Sequence, residues 1–464
     1  MKERDVIAAE ARGKAERDLE ELCSFLAFPT VSALPEHKED LLRAADWLKR
    51  WLASAGADEC AFLKAGEIPL VYAEWKGPDE APSLLVYGHY DVQPVDPLEE
   101  WKTPPFEGVV RGDNLYARGA SDMKGQVYAF VKAAQTLCLR GRVPLTVKLI
   151  LDGEEESLSP HLREALEAEK ERLRCQWVLN CDSGALGPRQ PAVTCALRGI
   201  AYYEIELTGG KTDLHSGSFG GAVVNPANLL CRLVAGMHDE EGRVVLPGFY
   251  DRVRPLSPET QEELSRIPME ESAFRRIAGS APLGGEAGYT TLERLGVRPS
   301  LDVNGLKAGY TKAGVKTVLP NRAMAKLSFR LVPDQDPSEI EGQLREYLER
   351  RVPEGISWTL RELMRGPWAL ADKESLPART AFNALREAFG VSPLFRRQGF
   401  SVPAVGHIKE LYGVDAIMMG FMLPDDGIHG PNERQHLPTL YKGTEAYLRF
   451  LTGLADAWKH GESA

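Results

Sequence analysis

Short apolar runs at 70–75, 83–88, 145–151 and 177–181 alternate with helix-like stretches at about 124–140 and 160–174. Runs this short and apolar fit strands buried on both faces, and strands separated by helices form a mostly parallel α/β sheet covered by helices on both sides. Ligand-handling residues in such folds collect where strands end and loops begin. Five segments carry acidic and imidazole groups: Gly88-His89-Tyr90-Asp91, Ser121-Asp122, Glu154-Glu155-Glu156, Cys181-Asp182-Ser183 and Ile428-His429-Gly430. Four of them directly follow a strand-like run.

After Arg198 the pattern changes. Residues 202–207 and 323–331 alternate like strands with one solvated face, while 225–237 and 337–351 have helical periodicity. This reads as an inserted α+β domain at 199–367 inside a domain made of 1–198 plus 368–464. Within the insert, 248–297 is rich in Pro, Gly and charge and reads as an irregular or partly helical excursion. From about 369 the alternation returns, with helices at 376–390, 404–412 and from about 436, and strands at 393–397 and 415–420. His429 can join His89 only if this last segment rejoins the first sheet.

The chain has 464 residues, 43% hydrophobic and 27% charged, which suits about two to three soluble globular domains. No apolar run approaches the ~18 residues of a membrane span, so no membrane partner is expected. A net charge of −11 without a Lys/Arg stripe argues against nucleic acid. The start carries mixed charge and leads into a stripe of Leu19, Leu22 and Leu26, unlike a secretory signal, so the expected location is cytoplasmic. Seven cysteines without a C-x-x-C pair argue against a disulfide framework and a thiolate zinc site. Any metal would be held by nitrogen and oxygen.

Those donors match the needs of a two-metal hydrolase. Two cations about 3.5–4 Å apart can activate one water and stabilise the oxyanion that follows. Such a site needs a bridging carboxylate and about two further donors per metal. Asp122 suits the bridge, His89 and Asp182 one metal, and Glu156 and His429 the other. Asp91, two residues beyond His89 in extended chain, can fix the imidazole tautomer. Of Glu155 and Glu156, one can bind metal while its neighbour carries a proton between water and leaving nitrogen.

Longer segments extend these motifs: Gly88-His89-Tyr90-Asp91-Val92-Gln93-Pro94, Arg118-Gly119-Ala120-Ser121-Asp122-Met123-Lys124-Gly125, Asp152-Gly153-Glu154-Glu155-Glu156-Ser157 and Lys211-Thr212-Asp213-Leu214-His215-Ser216-Gly217. In sequence and order they resemble the M20 metallopeptidases, above all the cytosolic nonspecific dipeptidase and carnosinase branch. The resemblance implies hydrolysis of dipeptides with release of the C-terminal residue, two divalent ions (Zn2+ or Mn2+), and the ligand set given above. It also implies Glu155 as general base, a cis peptide after Asp122 and, for 199–367, the role of a lid through which a homodimer forms, with 1–198 plus 368–464 as the metal-binding catalytic domain. His215 would cross the dimer interface to stabilise the partner's oxyanion, and Arg330 would clamp the substrate's C-terminal carboxylate, with Thr317 and Ser401 lining the same pocket. Two positions depart from the family pattern. Asp152 stands where many relatives carry Glu, and Leu158 where they usually carry Gly, so the loop after the glutamates is expected to shift the pocket's shape.

Two other readings compete. An N-acyl amino acid deacylase or desuccinylase of the same family would take small acylated amino acids with the same ligand set. A non-catalytic binding protein on this scaffold is disfavoured because every ligand position and the general base are present. The remaining histidines, His37, His161, His238, His407, His436 and His460, are expected to be structural.

Overall fold

Strands Thr146–Asp152, Ser83–His89, Trp177–Asn180 and Ala416–Met418 lie side by side and parallel in the computed structural model, which describes residues 3–461 except 142 and 280. Residues 1–2 and 462–464, the two ends of the expected catalytic domain, lie outside that description. Antiparallel pairs extend this parallel core on both sides. Leu70–Trp75 and Glu59–Leu63 flank Thr146–Asp152, while Ala192–Leu197 follows Ala416–Met418 and pairs with both Ala369–Leu370 and Leu394–Gln398.

Side-chain alternation sorts each core strand between two hydrophobic layers. Leu84 and Val86 join one cluster, built with the helices Leu19–Leu26, Lys38–Ser54, Lys124–Leu139, Leu376–Phe389 and Leu437–Lys459. Leu85 and Tyr87 join the other, under Leu162–Ala168 and Pro403–Tyr412. Because both faces are covered, the strands are apolar throughout, which is why the sequence displays them as continuous runs.

A second sheet of four antiparallel strands runs in the order Ser300–Ala308, Arg322–Leu331, Gly199–Thr208, Ser357–Gly366. Only one of its faces packs, against the helices Pro226–Ala235 and Glu339–Glu349 through Tyr203, Ile205, Leu230 and Leu344. Its strands accordingly alternate between buried and partly exposed residues. The excursion at 248–297 contains three short helices, Pro258–Ser265, Glu271–Ile277 and Thr291–Gly296. Among the described residues no helix is long and apolar enough to cross a membrane.

Candidate metal centre

The parallel strands deliver their last residues to one edge. His89 ends Ser83–His89 opposite Asp152 in register, and Asp182 lies two residues past Trp177–Asn180. Glu155 and Glu156 open a single 3-10 turn after Thr146–Asp152. Asp122 comes just before the helix Lys124–Leu139, its peptide to Met123 is cis, and His429 adopts a left-handed φ of 63° in the loop before Leu437–Lys459.

The site residues fall into two donor groups sharing Asp122. One atom each of His89, Asp122 and Asp182 lie within 4.8 Å of one another, and the same holds for Asp122, Glu156 and His429. His89 Nε2 is 3.2 Å from Asp122 Oδ1, while His429 Nε2 is 3.0 Å from Asp122 Oδ2 and 3.5 Å from Glu156 Oε2. Asp91 lies beneath. Its Oδ1 is 3.3 Å from His89 Nδ1, and its carboxylate accepts from the backbone N–H of Glu155 (3.2 Å) and Glu156 (2.9 Å) and from Ser32 Oγ (2.6 Å). Gln93 Nε2 donates to Glu156 Oε2 at 2.7 Å.

With only the chain's own charges present, this cluster is electrostatically overloaded. Burial, reinforced by Asp182, Glu156 and Asp91, pushes Glu155 well above the usual carboxylate range. Burial and Asp122 push Glu156 up to about 9 and Asp182 up to about 6. Burial also opposes charge on Asp122, but its contacts with His429 and His89 hold it well below the ordinary range. Five packed carboxylates against two imidazoles need further positive charge to ionise together, and the donor set is all oxygen and imidazole nitrogen, suited to divalent ions. The residues therefore fit the two-ion centre.

Four hydrogen bonds to a residue that sequence reasoning missed position the bridge. Glu433, fully buried, accepts from Arg118 Nη1 (2.8 Å) and from the backbone N–H of Gly119 (2.9 Å), Ser121 (2.9 Å) and Asp122 (3.0 Å). Arg118 Nη2 also donates to the carbonyl of Gly430, tying the His429 loop to the same knot. The available signal was the proximity of Glu433 to His429 in sequence.

Asp152 accepts from Ser159 Oγ at 2.6 Å and from Tyr87 at 3.3 Å, and burial raises it to about 6. Leu158 takes φ 74°, a left-handed conformation that glycine adopts more freely, and its side chain lines the cavity. Leucine is thus accommodated there with its backbone in the glycine-type conformation.

A cavity of about 710 Å³ opens over the centre and is lined by Asp122, Glu155, Glu156, Asp182 and His429 together with Arg330 and Ser401. Arg330 Nη1 donates to Ser401 Oγ at 2.9 Å, which itself donates to the carbonyl of Arg198 at 2.5 Å. His215 and Thr317 are not brought into this cavity. They lie together at the exposed two-stranded ribbon formed by Leu214–His215 and Val318–Leu319, with Nε2 and Oγ1 3.4 Å apart. Among the other histidines, His37 pairs with Asp40, His161 with Glu154 and His436 with Thr439.

The sequence pattern of Peptidase family M20/M25/M40 matches residues 85–453. The chain belongs to this family, and is thus a metallopeptidase, a hydrolase of peptide bonds. It is 30% identical over 394 residues to Beta-Ala-His dipeptidase of Rattus norvegicus, covering 83% of this chain and 80% of the relative. It is 28% identical over 445 residues to Cys-Gly metallodipeptidase DUG1 of Candida albicans, covering 92% of each. Among solved structures, the M20 family metallo-carboxypeptidase Sso-CP2 of Sulfolobus solfataricus superposes with a TM-score of 0.86 at 30% identity, covering 94% of this chain and 99% of that one.

Proposed function

We propose that this chain is a dipeptidase that releases the C-terminal residue of its substrate, with His89 and Asp182 holding one divalent ion, Glu156 and His429 a second, and Asp122 bridging them. The observation that carries this reading is the pairing, in one cavity, of two donor groups sharing Asp122 with an arginine fixed by Ser401. A peptide carbonyl over the centre and a carboxylate on Arg330 describe a short substrate with a free C-terminus. Bound Zn2+ or Mn2+ would supply Lewis acidity to the carbonyl and to water.

The chain's own residues do the rest. Glu155, at the cavity wall and driven by burial to hold a proton readily, takes one from the attacking water and delivers it to the departing nitrogen. Asp91 keeps His89 in one tautomer and orientation. Because His215 and Thr317 are exposed and outside this chain's own cavity, we propose that they serve a partner subunit's substrate in a homodimer formed through 199–367, with 1–198 and 368–464 as the catalytic domain. The seven free thiols favour a reducing compartment, and we propose the cytoplasm.

The test is Glu155→Gln. Dipeptide kcat should fall about 10²- to 10⁴-fold, the range for losing a general base, while two ions per chain are retained. Unchanged turnover would remove Glu155 from this role, and faster turnover of N-acetyl or N-succinyl amino acids would give the deacylase reading instead.

A further inference from the structure

Buried Arg118 and Arg198 are each held by several partners. Arg118 reaches Glu433 and two backbone carbonyls, and Arg198 donates to the carbonyls of Gly399, Arg294 and Arg298. Arg396 at the cavity wall differs. Its Nε donates to Thr194 Oγ1 at 2.9 Å, and among the described residues its two terminal nitrogens have no hydrogen-bond partner and no carboxylate within 4 Å. Burial alone lowers it to about 10. On this half-buried side chain the two free terminal nitrogens can receive an arriving anion as a pair of charge-assisted hydrogen bonds.

Its position says which part of a substrate it meets. Along the sheet, the metal donors occupy the ends of Thr146–Asp152, Ser83–His89 and Trp177–Asn180, and the strand Leu394–Gln398 lies beyond Ala416–Met418 and Ala192–Leu197. Arg396 and Gln398 alternate onto the cavity face of that strand, and Ser401, which fixes Arg330, follows it directly. Both arginines thus line the one cavity, one from each sheet. Ile200, Val402 and Pro403 make the wall around them apolar. Gln398 has its Oε1 buried without a partner and, among the described residues, no hydrogen bond from its Nε2, leaving a second free donor beside Arg396.

We propose that Arg396, aided by Gln398, selects dipeptides whose C-terminal residue has a carboxylate side chain, aspartate or glutamate. The proposal rests on the dipeptidase reading, in which Arg330 takes the α-carboxylate and the side chain of the same residue points toward Arg396. Charge-assisted pairing at a desolvated site distinguishes the acid from its amide by about tenfold to a hundredfold.

The test uses the full chain reconstituted with Mn2+ or Zn2+ and compares kcat/KM for Ala-Glu with Ala-Gln, and for Ala-Asp with Ala-Asn. The acid should win by at least about tenfold, the ratio should collapse toward one in Arg396→Gln, and Arg396→Lys should retain part of it. Because the readout is a ratio, it is insensitive to the fraction of correctly folded variant. A wild-type ratio at or below one, or a ratio unmoved by Arg396→Gln, overturns the proposal. Titration calorimetry with free L-glutamate and L-glutamine separates it from the reading it rests on. If no dipeptide is cleaved but glutamate binds more tightly than glutamine through Arg396, the dipeptidase reading fails and the anion site stands; equal binding of the two overturns the anion site as well.

Discussion

The two halves of the metal centre are held in different ways. His89 and Asp182 stand at the ends of adjacent strands, and the His89 side chain is 1% exposed. Glu156 and His429 stand on turns, and the His429 side chain is 53% exposed. Sheet hydrogen bonds place the first pair. The second pair depends on side chains below it: Asp91 and Gln93 for Glu156, and Glu433 with Arg118 for the His429 loop. Chemically similar donor sets thus differ in rigidity and in access to water, so the strand-held ion should exchange slowly and the loop-held ion quickly.

The largest effect is expected from cutting the knot under the loop-held half. Glu433→Ala strands the Arg118 guanidinium, itself 1% exposed, and leaves the N–H groups of Gly119, Ser121 and Asp122 without their acceptor. Breaking a buried pair in this way costs about 3–5 kcal/mol. Urea denaturation of the reconstituted protein should show that loss, with a smaller one for Glu433→Gln, which keeps an acceptor oxygen. A change below about 1 kcal/mol, the range of exposed ion pairs, would mean that the loop is held by something else.

Removing the ions makes both halves sensitive to pH. A carboxyl whose folded pKa is raised binds more protons folded than unfolded, so stability is lost as pH rises from the unfolded value to the folded one. In the stripped chain Asp182 contributes that loss between 3.8 and about 6, and Glu156 between 4.5 and about 9. Above pH 6 Glu155 and Glu156 go on contributing, and above 6.5 so do His89 and His429, whose protonated forms the neighbouring carboxylates favour. Thermal melts after chelation should show stability falling between pH 6 and 9, by up to about 1.4 kcal/mol per pH unit for each proton, and reconstitution should flatten the curve. Metal analysis during chelation should show two phases, the loop-held ion leaving first. A single phase would erase the distinction between the halves.

The strand-held half was also the more legible in sequence. Residues 83–89, 146–152 and 177–180 are buried on both faces, so their apolar runs and the polar residues ending them stand out. Ala192–Leu197 escaped because its residues are small and it follows a Gly- and Pro-containing turn, although it is wholly buried. Ser300–Ala308 is an edge strand with a register shift at Gly305, and Ser357–Gly366 carries charges on an open face, so neither shows a clean period of two. Glu433 sits between Asn432 and Arg434 and resembles a surface charge. Only the return of the last segment beneath Arg118 reveals its task, and the adjacent pair Arg396-Arg397 was masked in the same way. The five candidate donors stood out in the sequence because the chemistry of an N/O metal site limits the residue types; the residues beneath them did not, because a hydrogen-bonding acid or arginine carries no pattern of its own.

The smallest effect concerns the turn beyond Glu156. Leu158 and Ser159 both have positive φ, at 74° and 47°, and Leu158 is 48% exposed at the cavity rim. The left-handed conformation costs a residue with a Cβ roughly 1–2 kcal/mol relative to right-handed backbone, and glycine escapes most of it while adding about 0.5–1 kcal/mol of unfolded-state entropy. Leu158→Gly should therefore stabilise the protein by no more than about 1 kcal/mol. If the turn serves chiefly to present Glu155 and Glu156, the substitution should leave the slow phase of metal loss untouched and alter only the fast one. An effect on both phases would show that the two halves are coupled through Asp122 more strongly than their separate supports imply.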